Sequence, residues 1–233
     1  MAAAPTAQET DPRWRKLVKL AVHEFRNPLG VAAGYLRMVL KESVGPLGDQ
    51  QRKLLEEVEK SCQRLSDLLK EVGDLSNLES GTVTLKRDSV DIRTLLADVI
   101  ANLPPSSHYP VTVELLADGT APMLGDASRL TSAFRSVISA LRRELIASDR
   151  LAIDVRTFPD QNGTAIHITV GDAERIDQLK SLAPSELSAF DEWRGGIGLS
   201  LPTARLVIEA HGGRLLAPAD EGKAAAFISL PGV

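Results

Sequence analysis

A histidine, a carboxylate and an amide lie close together in the segment that spans residues 23–29. Glu24 follows His23 directly, and a carboxylate there can accept or orient the imidazole proton so that the other ring nitrogen attacks phosphorus. Asn27 comes four residues after His23, and on a helix its amide shares that face and can position a water or a phosphoryl oxygen. Pro28 tends to bend a helix, which would expose the histidine. The segment favours phosphoryl chemistry over the alternative, a histidine at the edge of a helical bundle.

Two long helices are predicted to position this segment. Apolar residues at helical spacing run from about Pro12 to Val44, and the glycines and proline at 45–48 end the first helix. Asp49 is predicted to cap the next helix. The apolar residues of the first helix that fall near one face are Leu17, Leu20, Phe25, Leu29, Leu36 and Leu40.

The second helix, over residues 50–79, carries two rows of mostly apolar residues with a period of seven. Interleaved heptad rows form the seam of a coiled coil. One helical hairpin cannot bury both apolar faces, so we expect two copies to pair into a four-helix bundle, a homodimer formed through residues 12–80. The rows are Val58, Leu65 and Val72 and, three residues out of phase, Leu54, Ser61, Leu68 and Leu75.

Beyond Gly81 the sequence changes to short runs of β-forming residues that alternate with helical stretches. This order predicts an α+β domain, in which helices cover one face of a sheet. Turn residues at 159–163 predict a hairpin between two of the strands. The predicted strands span 83–86, 111–116, 151–157, 165–170, 214–216 and 225–230, and the predicted helices span 91–103, 128–147 and 200–210.

The composition indicates a globular protein that binds neither nucleic acid nor membrane. The 233 residues carry a formal net charge of -4, which argues against binding to nucleic acids or anionic membranes. The lone cysteine, Cys62, excludes an internal disulfide and favours a cytoplasmic location. Residues 1–11 are expected to form a disordered lead-in without the pattern of a signal peptide. No apolar run reaches the roughly 18 residues of a membrane helix, so no membrane segment is expected.

Residues 23–29 resemble the H-box of two-component sensor histidine kinases, and the similarity continues through residues 34–36 into the second helix. The resemblance implies that the hairpin is the dimerisation and histidine-phosphotransfer domain of that family. His23 then matches the phosphoacceptor, Glu24 the acid that promotes the kinase reaction, and Asn27 the residue used in phosphatase activity.

Residues 81–233 resemble the Bergerat-like ATP-binding domain of the same family, an α/β sandwich that holds nucleotide under a lid. The match to the family's second glycine box covers residues 195–202 and extends to the turn at 211–213. Glycines let the backbone approach phosphates, and a helix N-terminus favours anions. Phe190 resembles the lid aromatic, and Ser200 replaces the usual last glycine of the box. The nucleotide-binding residues that the resemblance implies are Gly195, Gly196, Gly198 and Leu199.

The N-box, the helix that holds magnesium in the family, has changed here. Residues 126–130 resemble its start, but Ser136 and Ala140 stand where the family has asparagines. Alanine cannot ligate magnesium, which demands oxygen ligands. Arg143 stands where the family often has a phosphate-binding lysine, and its alternative role is a solvated charge on a helix surface.

The first glycine box of the family has changed as well. Asp172 matches the aspartate that hydrogen-bonds the adenine amino group, and its alternative role is a turn residue at a strand end. Glu174 and Ile176 stand at two glycine positions, and Glu174 adds negative charge near the expected phosphates.

Three functions remain open at the level of the sequence. In the first, which we adopt, ATP with Mg²⁺ phosphorylates His23, which passes the phosphoryl group to an aspartate of a response-regulator receiver domain. In the second, the protein is an ATP-independent histidine phosphotransferase or phosphatase with a degenerate nucleotide site. In the third, it is a non-catalytic dimeric pseudokinase scaffold. Candidates for the surface that faces the regulator are Arg26, Arg37 and Lys41.

Overall fold

The computed structural model divides the chain into two compact units, Met1–Thr82 and Val83–Val233. The lead-in that is predicted to be disordered, residues 1–11, lies outside the described residues. The structure describes residues 12–104, 110–116, 119–145, 148–160, 163–193, 198–219 and 224–233.

The first unit is a helical hairpin of α1 (Pro12–Leu40) and α2 (Asp49–Glu79). α1 continues through Pro28. The predicted cap of α2 is wrong by one position, because Gly48 is the N-cap and Asp49 is the first helical residue. The Gly48 N–H donates to Oε1 of Gln51 at 3.0 Å, and the Asp49 carboxylate complements the helix dipole from within the first turn.

The turn of the hairpin ends α1 four residues before the predicted position, Val44. Glu42 has a φ of 57° and Gly45 a φ of 130°, backbone conformations that no α-helix contains. The guanidinium of Arg52 donates to the Leu40 carbonyl at 3.1 Å and pairs with the Glu42 carboxylate at 2.5 Å. These contacts bind the turn to α2.

α1 covers a different row of α2 from the two rows that the heptad pattern singles out. Leu54, Val58 and Leu65 keep 63%, 49% and 52% of their surface exposed. Before residue 70, the half-buried row lies one residue later in the heptad and is less apolar, so this part of the two apolar rows is exposed in the single chain. Val72 and Leu75, at the end of the rows, are half-buried. The half-buried row includes Leu55, Glu59, Cys62, Ser66 and Leu69.

The second unit contains a six-stranded sheet and a separate two-stranded sheet. Its helices are α3 (Ile92–Ala101), α4 (Ala127–Glu144), α5 (Ile176–Leu179) and α6 (Ser200–Ala210). Its strands are β1 (Asp88–Asp91), β2 (Thr112–Leu116), β3 (Pro122–Gly125), β4 (Arg150–Asp160), β5 (Gly163–Asp172), β6 (Leu187–Ala189), β7 (Arg214–Pro218) and β8 (Ala226–Gly232).

The order of the large sheet is β2-β4-β5-β8-β7-β6, and every neighbouring pair is antiparallel except β2 with β4. The antiparallel pairing of β4 with β5 confirms the predicted hairpin. A helical hairpin followed by an α+β domain confirms the predicted fold class.

Helices lie on both faces of this sheet, so the prediction that they cover one face is wrong. α4 packs on β5 and against α3 and α6, over the face that carries Ile166, Ile168 and Val170. Gly171 points to the opposite face, since side chains alternate along a strand. On that face, Leu179 of α5 packs so close to Gly171 that a Cβ there would lie 2.4 Å from Leu179 Cδ1. The second face is therefore covered near the end of β5, where the first glycine box was expected.

The two-stranded sheet corrects the first predicted strand. Residues 83–86 form no strand, and β1 lies farther along the chain, where it pairs antiparallel with β3. The antiparallel pairing with β3 sets the position of β1, because β3 pairs only with residues 88–91. The main chain of Lys86 instead donates to the Asp126 carboxylate at 3.4 Å.

Candidate functional site

His23 lies on the outer surface of α1 with an acid beside it. The His23 side chain is 70% exposed and the Glu24 side chain 67% exposed, and Nδ1 of His23 lies 3.5 Å from Oε1 of Glu24. A carboxylate beside Nδ1 favours the tautomer that carries its proton on Nδ1, in which the lone pair of Nε2 is available. This arrangement suits attack by Nε2 on a phosphorus atom that arrives from outside the hairpin.

The other predicted residues of this site are also accessible. Asn27 is exposed one turn beyond His23, Arg26 and Arg37 are exposed on the same helix, and Lys41 is exposed in the turn that follows it. Glu24 is the only acid of α1, which also carries Arg26 and Arg37, so the outer surface of this helix is cationic. A cationic surface attracts an acidic partner or a phosphoryl group.

An apolar stripe on α1 lies exposed beside this cationic surface. Its residues recur at helical spacing, and like Leu54, Val58 and Leu65 of α2 they are large apolar side chains that the hairpin leaves exposed. Large exposed apolar patches on soluble proteins mark interaction sites. The exposed residues of the α1 stripe are Leu17, Leu20, Val31, Tyr35 and Met38.

The second glycine box leads into the N-terminus of α6. Gly195 and Gly196 lie outside the described residues, whereas Gly198 has a φ of 67° and Leu199 is the N-cap of α6. Leu199 offers no side-chain oxygen to cap the helix, and the first turn contains no acid. The amides of an eleven-residue helix therefore end in a positive partial charge that an anion can approach.

Asp172 ends β5 and opens the turn that replaces the first glycine box. Its Oδ1 accepts the Glu174 N–H at 2.9 Å, and its side chain is half-buried. The Glu174 side chain points into solvent. The turn is therefore built around Asp172 itself, which agrees with the structural alternative for this residue and leaves its contact with adenine a prediction.

α4 offers little to a magnesium ion. Ala140 is fully buried, and Oγ of Ser136 donates back to the Ser132 carbonyl at 3.0 Å. Among the described residues, no group of three or more histidine, cysteine or acidic side chains is placed to hold a metal. The residues present therefore do not fit the magnesium ion that the resemblance implies. Arg143, in the last turn of α4, is exposed and can meet an anion.

The turn at 211–213 has a structural role that the sequence did not reveal. The buried ring of His211 accepts the Asp126 N–H at Nε2, at 2.9 Å, and its Nδ1 donates to the Val207 carbonyl at 2.7 Å. A Cβ at Gly213 would lie 2.2 Å from the Ser229 carbonyl oxygen. This part of the motif therefore joins the C-terminus of α6 to the N-terminus of α4.

The sequence also did not reveal an ion-pair network that joins the segment after β6 to α6. Arg205 of α6 binds Glu192 and, at 2.9 Å, Glu209. Burial acts to lower the pKa of Arg205, but the hydrogen bonds and charges of both carboxylates raise it. The network fastens the segment that follows β6 to α6, close to the buried Phe190. Only the i,i+4 spacing of Arg205 and Glu209 was visible in the sequence.

Comparison with known proteins identifies the first unit by its sequence. Residues 13–81 match the family model of the His Kinase A (phospho-acceptor) domain. The chain is 23% identical over 217 residues to the cell-division control histidine kinase PdhS of Brucella ovis, covering 86% of this chain and 21% of that protein. It is 26% identical over 207 residues to the signal transduction histidine-protein kinase BarA of Escherichia coli, and the match covers 82% of this chain and 22% of that protein.

A third relative and one solved structure agree with these matches. The sensor protein GacS of Pseudomonas syringae is 27% identical over 218 residues, which cover 88% of this chain and 23% of that protein. Full-length ShkA in complex with AMPPNP shares the fold, with a TM-score of 0.66 at 21% identity over 94% of this chain and 46% of that one. The chain spans about a fifth of the length of its curated relatives. No helix of the described residues meets the length and apolarity needed to cross a membrane.

Proposed function

This chain belongs to the two-component sensor histidine kinases, and we propose on that premise that His23 accepts a phosphoryl group from ATP and passes it to a receiver domain. The observation that carries the proposal is the open Nε2 side of an exposed histidine, with Glu24 3.5 Å from Nδ1. The histidine lies inside the segment that matches the phospho-acceptor model.

The proposed reaction has two steps. The Nε2 lone pair of His23 forms a bond to the γ-phosphorus of ATP as the bond between that phosphorus and the bridging oxygen breaks, and ADP leaves. Glu24 holds the Nδ1 proton and stabilises the positive charge that develops on the ring. An aspartate carboxylate of a response regulator then attacks the phosphorus, the N–P bond breaks, and an acyl phosphate forms while His23 regains its neutral ring.

The proposal includes a homodimer. The apolar stripe of α1 and the exposed rows of α2 are buried only when a surface of matching shape packs on them, and a second copy of the hairpin provides such a surface. The cationic surface around His23 remains free in such a bundle, and it complements the acidic phosphorylation site that a receiver aspartate implies. Asn27, one turn from His23, is the proposed residue that orients a water for hydrolysis of the phosphorylated regulator.

Incubation with γ-labelled ATP tests the proposal. Wild type is expected to gain label in the presence of Mg²⁺, and His23→Gln is expected to lose it entirely. His167→Gln is the matched control, since His167 is also an exposed histidine but lies on β5, and it is expected to label as wild type does. A folded wild type without label, or equal label on His23→Gln, contradicts the ATP-dependent reaction.

A second candidate function is favoured by one observation on α4. The buried methyl group of Ala140 offers no oxygen to a metal ion, which supports a phosphotransferase that receives its phosphoryl group from a phosphorylated receiver domain. In that reaction the acyl phosphate bond breaks as Nε2 of His23 attacks, and the aspartate leaves as a carboxylate. Label that reaches His23 from a phosphorylated receiver but never from ATP identifies this function.

A further inference from the structure

The middle of α4 carries no asparagine at either of the two positions where the family resemblance leads one to expect it. Ala140 is fully buried, so only a methyl group stands there. Ser136 lies one turn earlier, and its hydroxyl donates to the Ser132 carbonyl at 3.0 Å. Magnesium demands near-octahedral oxygen ligation at about 2.0–2.1 Å and is usually held through one or two carboxylates together with phosphates. Neither Ser136 nor Ala140 supplies a carboxylate or an amide oxygen.

α4 and α6 are arranged so that the α6 N-terminus lies beside this part of α4. The two helices pack against each other, and His211 at the C-terminus of α6 accepts the N–H of Asp126 at the N-terminus of α4. The helices therefore run antiparallel. Eleven residues of α6 rise about 16 Å, which brings its N-terminus level with the third and fourth turns of α4. Positive charge from this helix end thus reaches the region where a metal ligand is missing.

Arg143 adds a full positive charge one turn beyond Ala140. It is exposed in the last turn of α4, and no described acid forms an ion pair with it. An arginine can bind phosphate oxygens through two parallel N–H groups and stays charged at every pH of interest. With Gly198 and the uncapped start of α6, it forms a cationic set made from protein groups alone.

We infer that residues 83–233 bind nucleotide independently of Mg²⁺, with Arg143 and the α6 N-terminus meeting the phosphates in place of a metal held by the protein. The inference rests on the proposed function, because it presupposes that this unit binds ATP. Any Mg²⁺ in the reaction then travels with the phosphates and water and gains no ligand from α4.

Calorimetric titration of ATP into the full chain tests the inference, once in excess EDTA and once in excess Mg²⁺. The expected Kd values differ by less than about twofold, because no described group of α4 gains a metal contact. Arg143→Ala is expected to weaken binding about tenfold in both buffers, since it removes a charge-assisted contact. Arg135→Ala, an exposed arginine two turns earlier on the same helix, is the matched control and is expected to bind as wild type does.

The outcomes separate this inference from the proposed function. Binding that Mg²⁺ strengthens tenfold or more in wild type overturns the inference and leaves ATP as the donor. No binding in either buffer overturns both the inference and the ATP-dependent reaction. Equal binding in both buffers without label on His23 supports the inference and contradicts the kinase reaction.

Discussion

The chemistry proposed for His23 depends on what surrounds its two ring nitrogens. Glu24 stands at the Nδ1 side of a side chain that is 70% exposed, so in the proposed reaction Nδ1 keeps a proton while Nε2 is the nucleophile. Because His23, Glu24 and Asn27 are near neighbours in sequence, the sequence alone predicts them as a site, and their catalytic roles stay a prediction. The buried bond of His211 to Asp126 could not, because the two residues lie 85 positions apart.

The carboxylate of Asp126 links stability to pH. Burial acts to raise its pKa, but N–H groups of Arg129 and Lys86 and the charge of Arg129 outweigh this, so that the pKa lies below the ordinary value. A lowered folded-state pKa stabilises the fold above the unfolded value of about 3.9, and this contribution is lost as the pH falls through the folded value.

Asp126→Asn should therefore lower the free energy of unfolding at neutral pH by about 1 kcal/mol, because the amide has one oxygen and cannot accept from the N–H groups of both Arg129 and Lys86. The variant should also lose less stability than wild type as the pH falls below about 4. Urea unfolding at a series of pH values measures both effects. Asp98→Asn removes an exposed carboxylate of α3 and should leave the curve unchanged, whereas parallel curves for Asp126→Asn and wild type would rule out the linkage.

At the level of secondary-structure elements, local patterns predicted α6 over its observed residues, 200–210, because helix start and stop signals are local. The strand predicted at 83–86 was wrong, because a strand also needs a partner, and β3 pairs with β1 instead. The heptad rows of α2 were visible, but the row that contacts α1 was not. A period of seven reveals a seam without showing which chain covers it.

Substitution of two glycines by alanine tests how the elements pack, and the two changes in the free energy of unfolding are expected to have opposite signs. Gly213→Ala should destabilise the second unit by about 2 kcal/mol or more, since its Cβ would lie 2.2 Å from the Ser229 carbonyl oxygen.

Gly30→Ala should stabilise the hairpin by about 0.5–1 kcal/mol, because nothing lies within 4 Å of its Cβ and alanine favours a helix. Urea unfolding measures both, and a neutral Gly213→Ala would show that β8 yields at this position.

At the level of the whole molecule, the exposed rows of α2 make self-association the expected state. The single chain leaves its more apolar rows uncovered, and burial of such surfaces drives association. The heptad pattern alone led to the prediction that two hairpins pair.

Leu65→Glu should convert the dimer to a monomer, because it puts a charge into the proposed seam at a side chain that is 52% exposed in the single chain. Gln63→Glu adds the same charge at an exposed position of the same helix outside the rows and should leave the dimer intact. Light scattering after size exclusion gives the mass of each variant. A monomeric wild type, or a Leu65→Glu variant that remains dimeric, would show that these rows do not form the interface.

Mass spectrometry at neutral to alkaline pH can locate the phosphoryl group on the protein after incubation with either donor. The protein would be offered ATP in one reaction and a phosphorylated receiver domain in the other. We expect a modification on His23 from at least one donor, and no modification on His167 or His211. A folded, dimeric protein whose His23 stays unmodified with both donors would contradict this expectation.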